Sequence, residues 1–311
     1  MGYPADEIDL EHSPGELIVC ENNRPAMRNK LRKYTLNPET YDLEKGRVHI
    51  PCPPLAYDRN TGSTFQLDVN NHKILSGIMP KVLLHKFDNL ISKTNQDELL
   101  ARWARFIATN PTAHNVDDTS SARSTDTRSF HFGVWRRSSA TGCISTDTRS
   151  DLTKEQKELL DRFLVLVKDY VGKRVRSLME KYMPEEWEMR KVMWSYLKKK
   201  NFTGDREVLD FHEAFTTVAV TDGISNIIHT DRSDAGMTWV FPIGDWEGAD
   251  LCLNQMGKKV EVRPGDGVAF HANFLSHNNS KLKSGKRVAL TCFVDRLLFL
   301  DAMKEAGYIV S

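Results

Sequence analysis

The chain is short of cysteine, of net charge and of long apolar runs, and each shortage removes a class of protein. Five cysteines occur in 311 residues, at Cys20, Cys52, Cys143, Cys252 and Cys292, with no Cys-x-x-Cys among them. An odd, widely spaced set supports neither a disulfide framework nor a zinc ribbon and fits a reducing compartment. Lys and Arg number 43 against 42 Asp and Glu, a net charge of +1. No global positive field marks the chain for nucleic acid, although a balanced total is compatible with local basic patches. No stretch approaches the ~18 apolar residues of a membrane span, so no membrane partner is expected. The stretch Met1 to Glu11 carries acids where a secretory leader needs a basic flank and an apolar core. Asp6 breaks the myristoylation pattern that Gly2 begins. A soluble nuclear or cytoplasmic protein is the expectation.

What is present is ordinary globular composition, 40% hydrophobic and 27% charged. We expect a polar N-terminal extension over 1–45 and one domain over 46–311. Its helical scaffold falls at about 80–200, with a polar loop at 112–151, and its β core at about 207–296. The extension contains the basic run Arg24 to Tyr34, either an arm for phosphate or a solvated tail. Thr64 to Val69 alternates weakly, as a strand would. Residues 80–109 read as two helices, the second starting near Thr94 with Leu99, Leu100, Trp103, Phe106 and Ile107 as its apolar stripe.

In the loop, Ser-Thr-Asp-Thr-Arg-Ser occurs twice, at 124–129 and 145–150, flanking the strand-like Phe130 to Arg137. A long polar segment inside a domain suggests the walls or lid of a site, and a local duplication in a loop is the plainer alternative. Residues 153–182 read as one long helix with Thr153 and Gln156 as a capping box and Pro184 as its stop. Such a stripe must bury against another layer, here a sheet. The same region is locally basic, from Lys173 and Arg174 to Lys198, Lys199 and Lys200. From Phe211 onward, short apolar strands punctuated by glycines indicate a sandwich, barrel or jelly roll. The fold class expected is therefore α+β, with N-terminal helices buttressing the β core. A short closing helix falls at Leu297 to Ala306.

Within this β segment stands a constellation of metal-ligand types. His229 and Asp231 lie two residues apart, and on a strand they would share a face. His277 follows the Arg263-Pro-Gly-Asp266 turn by eleven residues, and Arg287 follows by ten more. Two histidines and a carboxylate form the facial triad that suits non-haem Fe(II). Arg287 has the planar fork that receives a carboxylate bidentately. His271 is the rival for the second histidine, and Asn226 stands near His229 as a further polar candidate.

These residues resemble those of the Fe(II)/2-oxoglutarate-dependent dioxygenase superfamily. The resemblance covers residues 211–296 and implies a double-stranded β-helix core of the jelly-roll or cupin-like kind. It implies His229, Asp231 and His277 as iron ligands and Arg287 as the anchor of 2-oxoglutarate, with Asn226 as a co-substrate contact. The implied reaction consumes O2 and 2-oxoglutarate, releases succinate and CO2, and oxidises an unactivated C–H bond. The long helix, the Gly133-Val-Trp strand and the His229-Thr-Asp-Arg-Ser-Asp-Ala-Gly-Met237 continuation look similar to TET/JBP-type DNA-base dioxygenases, particularly short fungal forms. That likeness implies the methyl group of a modified base such as 5-methylcytosine as substrate, with clustered Arg and Lys on DNA phosphates, in the runs 24–33 and 173–200 and at Arg128, Arg136, Arg137 and Arg149 of the polar loop. A protein side chain or a small metabolite is the alternative substrate, and a non-enzymatic jelly-roll binding module the second alternative.

Overall fold

A computed structural model of the chain describes residues 41–51, 82–113, 128–136, 141–149, 152–273 and 275–308. The expected basic arm at 24–33 and the strand at Thr64 to Val69 lie outside the described residues. The architecture of the described residues is α+β, with two sheets. The strands of the larger sheet are β2 (His49–Pro51), β3 (Val82–Phe87), β4 (Ser129–Trp135), β5 (Cys143–Ile144), β6 (Thr217–Asp222), β7 (Thr238–Gly248), β10 (Gly267–Phe270) and β12 (Leu282–Phe293). Those of the smaller are β1 (Asp42–Glu44), β8 (Leu251–Leu253), β9 (Lys258–Val260) and β11 (His277–Asn279). The eight-stranded sheet has the order β2-β3-β10-β7-β12-β6-β4-β5, and the four-stranded sheet the order β1-β9-β8-β11.

The first of the two helices expected at 80–109 is a strand. Val82–Phe87 pairs with β10 and β2, and its four central residues are all buried. A strand covered on both faces shows no polar alternation, which is why its apolar run imitates a helix. The second expectation holds, as α1 spans Lys93–Ala108 and is capped by Ser92, whose side chain accepts from Asn95 N. The polar 112–151 segment is no simple lid, since it contains β4, paired to β6. After the four-residue helix α2 (Thr146–Arg149) comes the long helix, which the structure divides. The Thr153–Gln156 capping box starts α3 (Lys154–Leu166), a π-helical stretch occupies Val167–Gly172, and α4 runs over Lys173–Tyr182. Gly172 approaches the backbone of Phe211 so closely that a Cβ there would lie 2.6 Å from the Phe211 carbonyl oxygen. Pro184 stops α4 as expected and also opens α5 (Pro184–Lys200). Helix α6 spans Arg296–Glu305.

The second copy of the repeated hexapeptide has a structural task. Its Ser145 Oγ donates to the His131 carbonyl at 2.6 Å, its Asp147 carboxylate accepts from His131 N at 2.7 Å, and its Thr148 Oγ1 accepts from Gly133 N at 3.0 Å. Side chains thus satisfy backbone groups along the edge of β4, which would otherwise invite another strand.

The described residues pack into three cores, one of which joins Val134 to Trp194 of α5 and Leu298 of α6. One face of the larger sheet packs against the helices, with Phe130, Phe132 and Trp239 meeting Leu99, Trp103 and Phe163. Each such fully buried side chain contributes roughly 1.5–3 kcal/mol. Leu84, Val268 and Phe270 of the larger sheet meet Leu251, Leu253 and Val260 of the smaller one, in a second core between the sheets.

At one end of the helix-side core, His85 is 6% exposed and stands edge-on to His49, with ring centroids 4.8 Å apart. Burial, reinforced by His49 and His271 and opposed by Glu186, pushes its pKa from 6.5 down to about 4. Between those two values the unfolded chain binds the proton and the folded chain does not, so stability falls as pH drops from about 6.5 to about 4. His85→Phe keeps a ring in place and should flatten that part of the curve. Urea midpoints at pH 7, 5.5 and 4.5 measure it, and an unchanged pH slope in the variant would show that His85 does not carry the effect.

Candidate metal centre

The site hangs on a strap, residues 223–231, that leaves β6 and crosses to β11. His229 and Asp231 do not lie on a regular strand, as the sequence suggested. Only His229 makes a bridge, its N donating to the His277 carbonyl at 3.0 Å and its carbonyl accepting from His277 N at 2.9 Å. Asp231 N donates to the Ala272 carbonyl at 2.7 Å. The backbone, not residue alternation, therefore brings the three side chains together.

The donor atoms of His229, Asp231 and His277 all lie within 4.8 Å of one another. Nε2 of His229 is 3.6 Å from one Asp231 oxygen, and Nε2 of His277 is 3.5 Å from the other. The imidazole tautomers are set from behind. Nδ1 of His229 is 2.8 Å from the Ile227 carbonyl, and Nδ1 of His277 is 2.8 Å from the Leu275 carbonyl. A carbonyl only accepts, so each Nδ1 carries the proton and each Nε2 presents its lone pair to the centre. Phe270 packs edge-on against His277 at 4.8 Å and supplies an apolar wall. Two neutral imidazoles and one carboxylate on one side form a donor set fit for a divalent transition metal.

His271, the rival ligand, stays outside this cluster. Its backbone N donates to Leu83 in β3, and burial lowers its pKa against the opposing influence of Glu186 and a hydrogen bond to the Gly236 backbone. Asn226 is exposed on the strap between Ser225 and Ile227. His212, to which the sequence assigns no role, lies 3.7 Å from Asp169 beside the π-helical stretch.

Arg287 lies on β12 opposite Gly244 and is 7% exposed. Gly244 has φ +130°, and a Cβ there would meet the Lys286 carbonyl at 2.3 Å. The guanidinium donates from Nη1 to the Gly223 carbonyl at 2.9 Å and lies 5.8 Å from the centre of the Trp246 ring. Among the described residues its buried Nε finds no hydrogen-bond partner, and neither does Nε1 of Trp246. Burial pushes the arginine pKa down to about 10, so it remains charged at neutral pH. A buried cation with an idle donor is costly unless an anion completes it.

The basic residues expected to meet phosphate divide into two groups. Arg128, Arg149, Lys173 and Arg174 are exposed. Arg136 pairs with Asp301, Arg176 with Glu180, Lys191 with Glu188, Lys198 with Glu213, and Lys199 and Lys200 with Glu305. Arg190 is buried and spends its donors on Glu186 and on the carbonyls of Ala214 and Met237. Arg137 lies outside the described residues. Among the described residues, no helix is long and apolar enough to cross a membrane.

No protein-family model matches the chain, and no curated protein matches it in sequence. Several solved structures resemble it in part. NgTET1 in complex with 5mC DNA is 18% identical, over 69% of this chain and 73% of that one, with a TM-score of 0.48. JOX2 in complex with 2OG, Fe and JA is 10% identical, over 84% of this chain and 78% of that one, with a TM-score of 0.39. The viral collagen prolyl hydroxylase from Paramecium Bursaria Chlorella virus-1, in its 2OG complex, is 12% identical, over 68% of this chain and 94% of that one, with a TM-score of 0.32.

Proposed function

We propose that this chain is an Fe(II)- and 2-oxoglutarate-dependent dioxygenase built on a double-stranded β-helix. The observation that carries the reading is the pairing of a His-Asp-His donor set with a buried arginine that has an idle donor, the two joined by one strap. His229, Asp231 and His277 would hold the iron. Arg287 would take the far carboxylate of 2-oxoglutarate, and Asn226 is a candidate hydrogen-bonding contact on the strap. Bound iron and 2-oxoglutarate together with O2 supply the oxidising power for an unactivated C–H bond. The chain's own residues orient and exclude. The Ile227 and Leu275 carbonyls hold both imidazoles in one tautomer. Phe270 screens His277 from water, and the Gly223 carbonyl and the Trp246 ring hold the guanidinium plane.

For the substrate we propose the methyl group of a modified DNA base such as 5-methylcytosine, with a protein side chain or a small metabolite as the alternative. A base must leave the duplex to reach an enclosed centre, so the DNA must be held by its backbone. The exposed Arg128, Arg149, Lys173 and Arg174 are the residues to hold it. The protein with Fe(II) and 2-oxoglutarate should form succinate when given methylated duplex, and the product mass identifies the oxidation. Replacing the four cations with Ala should weaken binding to all duplexes alike and reduce the salt slope by about one for each phosphate no longer neutralised. Absence of duplex binding at low salt, with succinate formed on a peptide or metabolite panel, would transfer the proposal to the alternative substrate.

A further inference from the structure

The strap has a fastening that neither the triad nor the arginine provides. At one end, Gly223 is engaged twice by Arg287, its N donating to the Arg287 carbonyl at 2.8 Å and its carbonyl accepting from the guanidinium at 2.9 Å. At the other end, His229 exchanges both backbone bonds with His277. Between them the strap is tied at Ser225, and the tie is made by one residue. Asn279 N donates to the Ser225 carbonyl at 2.7 Å, and Asn279 Oδ1 accepts from Ser225 N at 3.3 Å. The side chain also reaches the other way, with Nδ2 donating to the Ala249 carbonyl at 3.2 Å. An amide N–H faces one end of the side chain and a carbonyl the other, which fixes the orientation of the Asn279 amide.

We propose that Asn279 is a positioning residue, one that holds the strap at the spacing that lets a single dicarboxylate reach both the metal centre and Arg287. The inference rests on the reading of the site given above. Its physical basis is that, among the described residues, the backbone N–H and C=O groups of Ile224 to Ile228 are bridged to a neighbouring strand through Asn279 alone. A ligand spanning two anchored points tolerates little error in their separation, because misplacement of about 1 Å can cost a hundredfold in rate. The Asn279 side chain bonds to Ser225 and Ala249, so its influence on the site passes through Ser225.

The test uses the full chain loaded with Co(II) as a probe for the metal and 2-oxoglutarate as the ligand. Asn279→Ala should raise the half-saturating 2-oxoglutarate concentration roughly five- to tenfold, the worth of about one net hydrogen bond. Its affinity for Co(II) alone should change less, since the three ligands and the His229–His277 bridge remain. Asn279→Asp keeps the acceptor for Ser225 N but turns an oxygen to the Ala249 carbonyl, so its affinity should be no higher than the parent's. Circular dichroism confirms that each variant is folded. An Ala variant with parental 2-oxoglutarate affinity would overturn the proposal. A parent protein that binds neither Co(II) nor 2-oxoglutarate would instead strike the functional reading on which it rests.

Discussion

Asp231→Ala is expected to lose iron-dependent turnover entirely and to lower metal affinity at least about a hundredfold. Loss of a mere outer-shell partner already costs 10–100-fold in many metal sites, so loss of a direct ligand sets the lower bound there. Asp231 also supplies the only negative charge of the triad. Without it, two neutral imidazoles face the cation alone. The fold should survive, because the backbone of residue 231 still ties the strap, its N donating to the Ala272 carbonyl. His229→Ala and His277→Ala should behave alike. His271→Ala is the control, since that ring turns to Glu186 and Gly236 and should leave metal binding intact. Metal titration and succinate formation measure the outcome. Retention of parental metal affinity in Asp231→Ala, or its loss in His271→Ala, would remove the triad assignment.

The triad was legible in the sequence because each member is a ligand type at a telling distance from the next. His-x-Asp, a glycine-punctuated β region, and a histidine ten residues before an arginine can all be read without coordinates. The geometry behind that spacing was not legible. The sequence suggested that alternation along a strand aligns His229 with Asp231. In the structure an isolated bridge and a loop do so, and the partner strand β11 is only three residues long. A strand that short has no periodicity to detect. Asn279 escaped sequence reasoning for a related reason, since its partners Ser225 and Ala249 lie 54 and 30 residues away.

The scaffold divides along similar lines. Local chemistry announced the Thr153–Gln156 capping box, and the structure contains both reciprocal bonds. The π-helical stretch that follows goes with a non-local contact, the approach of Phe211 to Gly172, and nothing within 153–182 foretells it. Charge partners were not legible. The run Lys198 to Lys200 reads as basic, and its partners Glu213 and Glu305 are remote in sequence, in ion pairs at the exposed surface. Arg287 shows the converse case. Its position could be read from the sequence, but only the fold reveals that its Nε is idle among the described residues.

That idle donor leads to the second large effect. Arg287→Lys should raise the half-saturating 2-oxoglutarate concentration by about ten- to a hundredfold while leaving metal affinity unchanged. A charge-assisted hydrogen bond is worth about 1.5–3 kcal/mol, and each ~1.4 kcal/mol is a factor of ten. An ammonium keeps the charge but cannot present two parallel donors, nor can it serve the carboxylate and the Gly223 carbonyl with one rigid plane. The substitution should also alter the pH response. Burial already lowers Arg287 to about 10. The same burial acting on a lysine starts from a lower ordinary value, about 10.4, so the variant becomes neutral at a lower pH than the parent. Affinity for the dicarboxylate, which requires the cation, should therefore decline with rising pH earlier in Arg287→Lys than in the parent. Co-substrate titrations at pH 7, 8 and 9 on the metal-loaded protein read both effects. If 2-oxoglutarate half-saturation and its alkaline decline coincide in the two proteins, some group other than Arg287 receives the carboxylate.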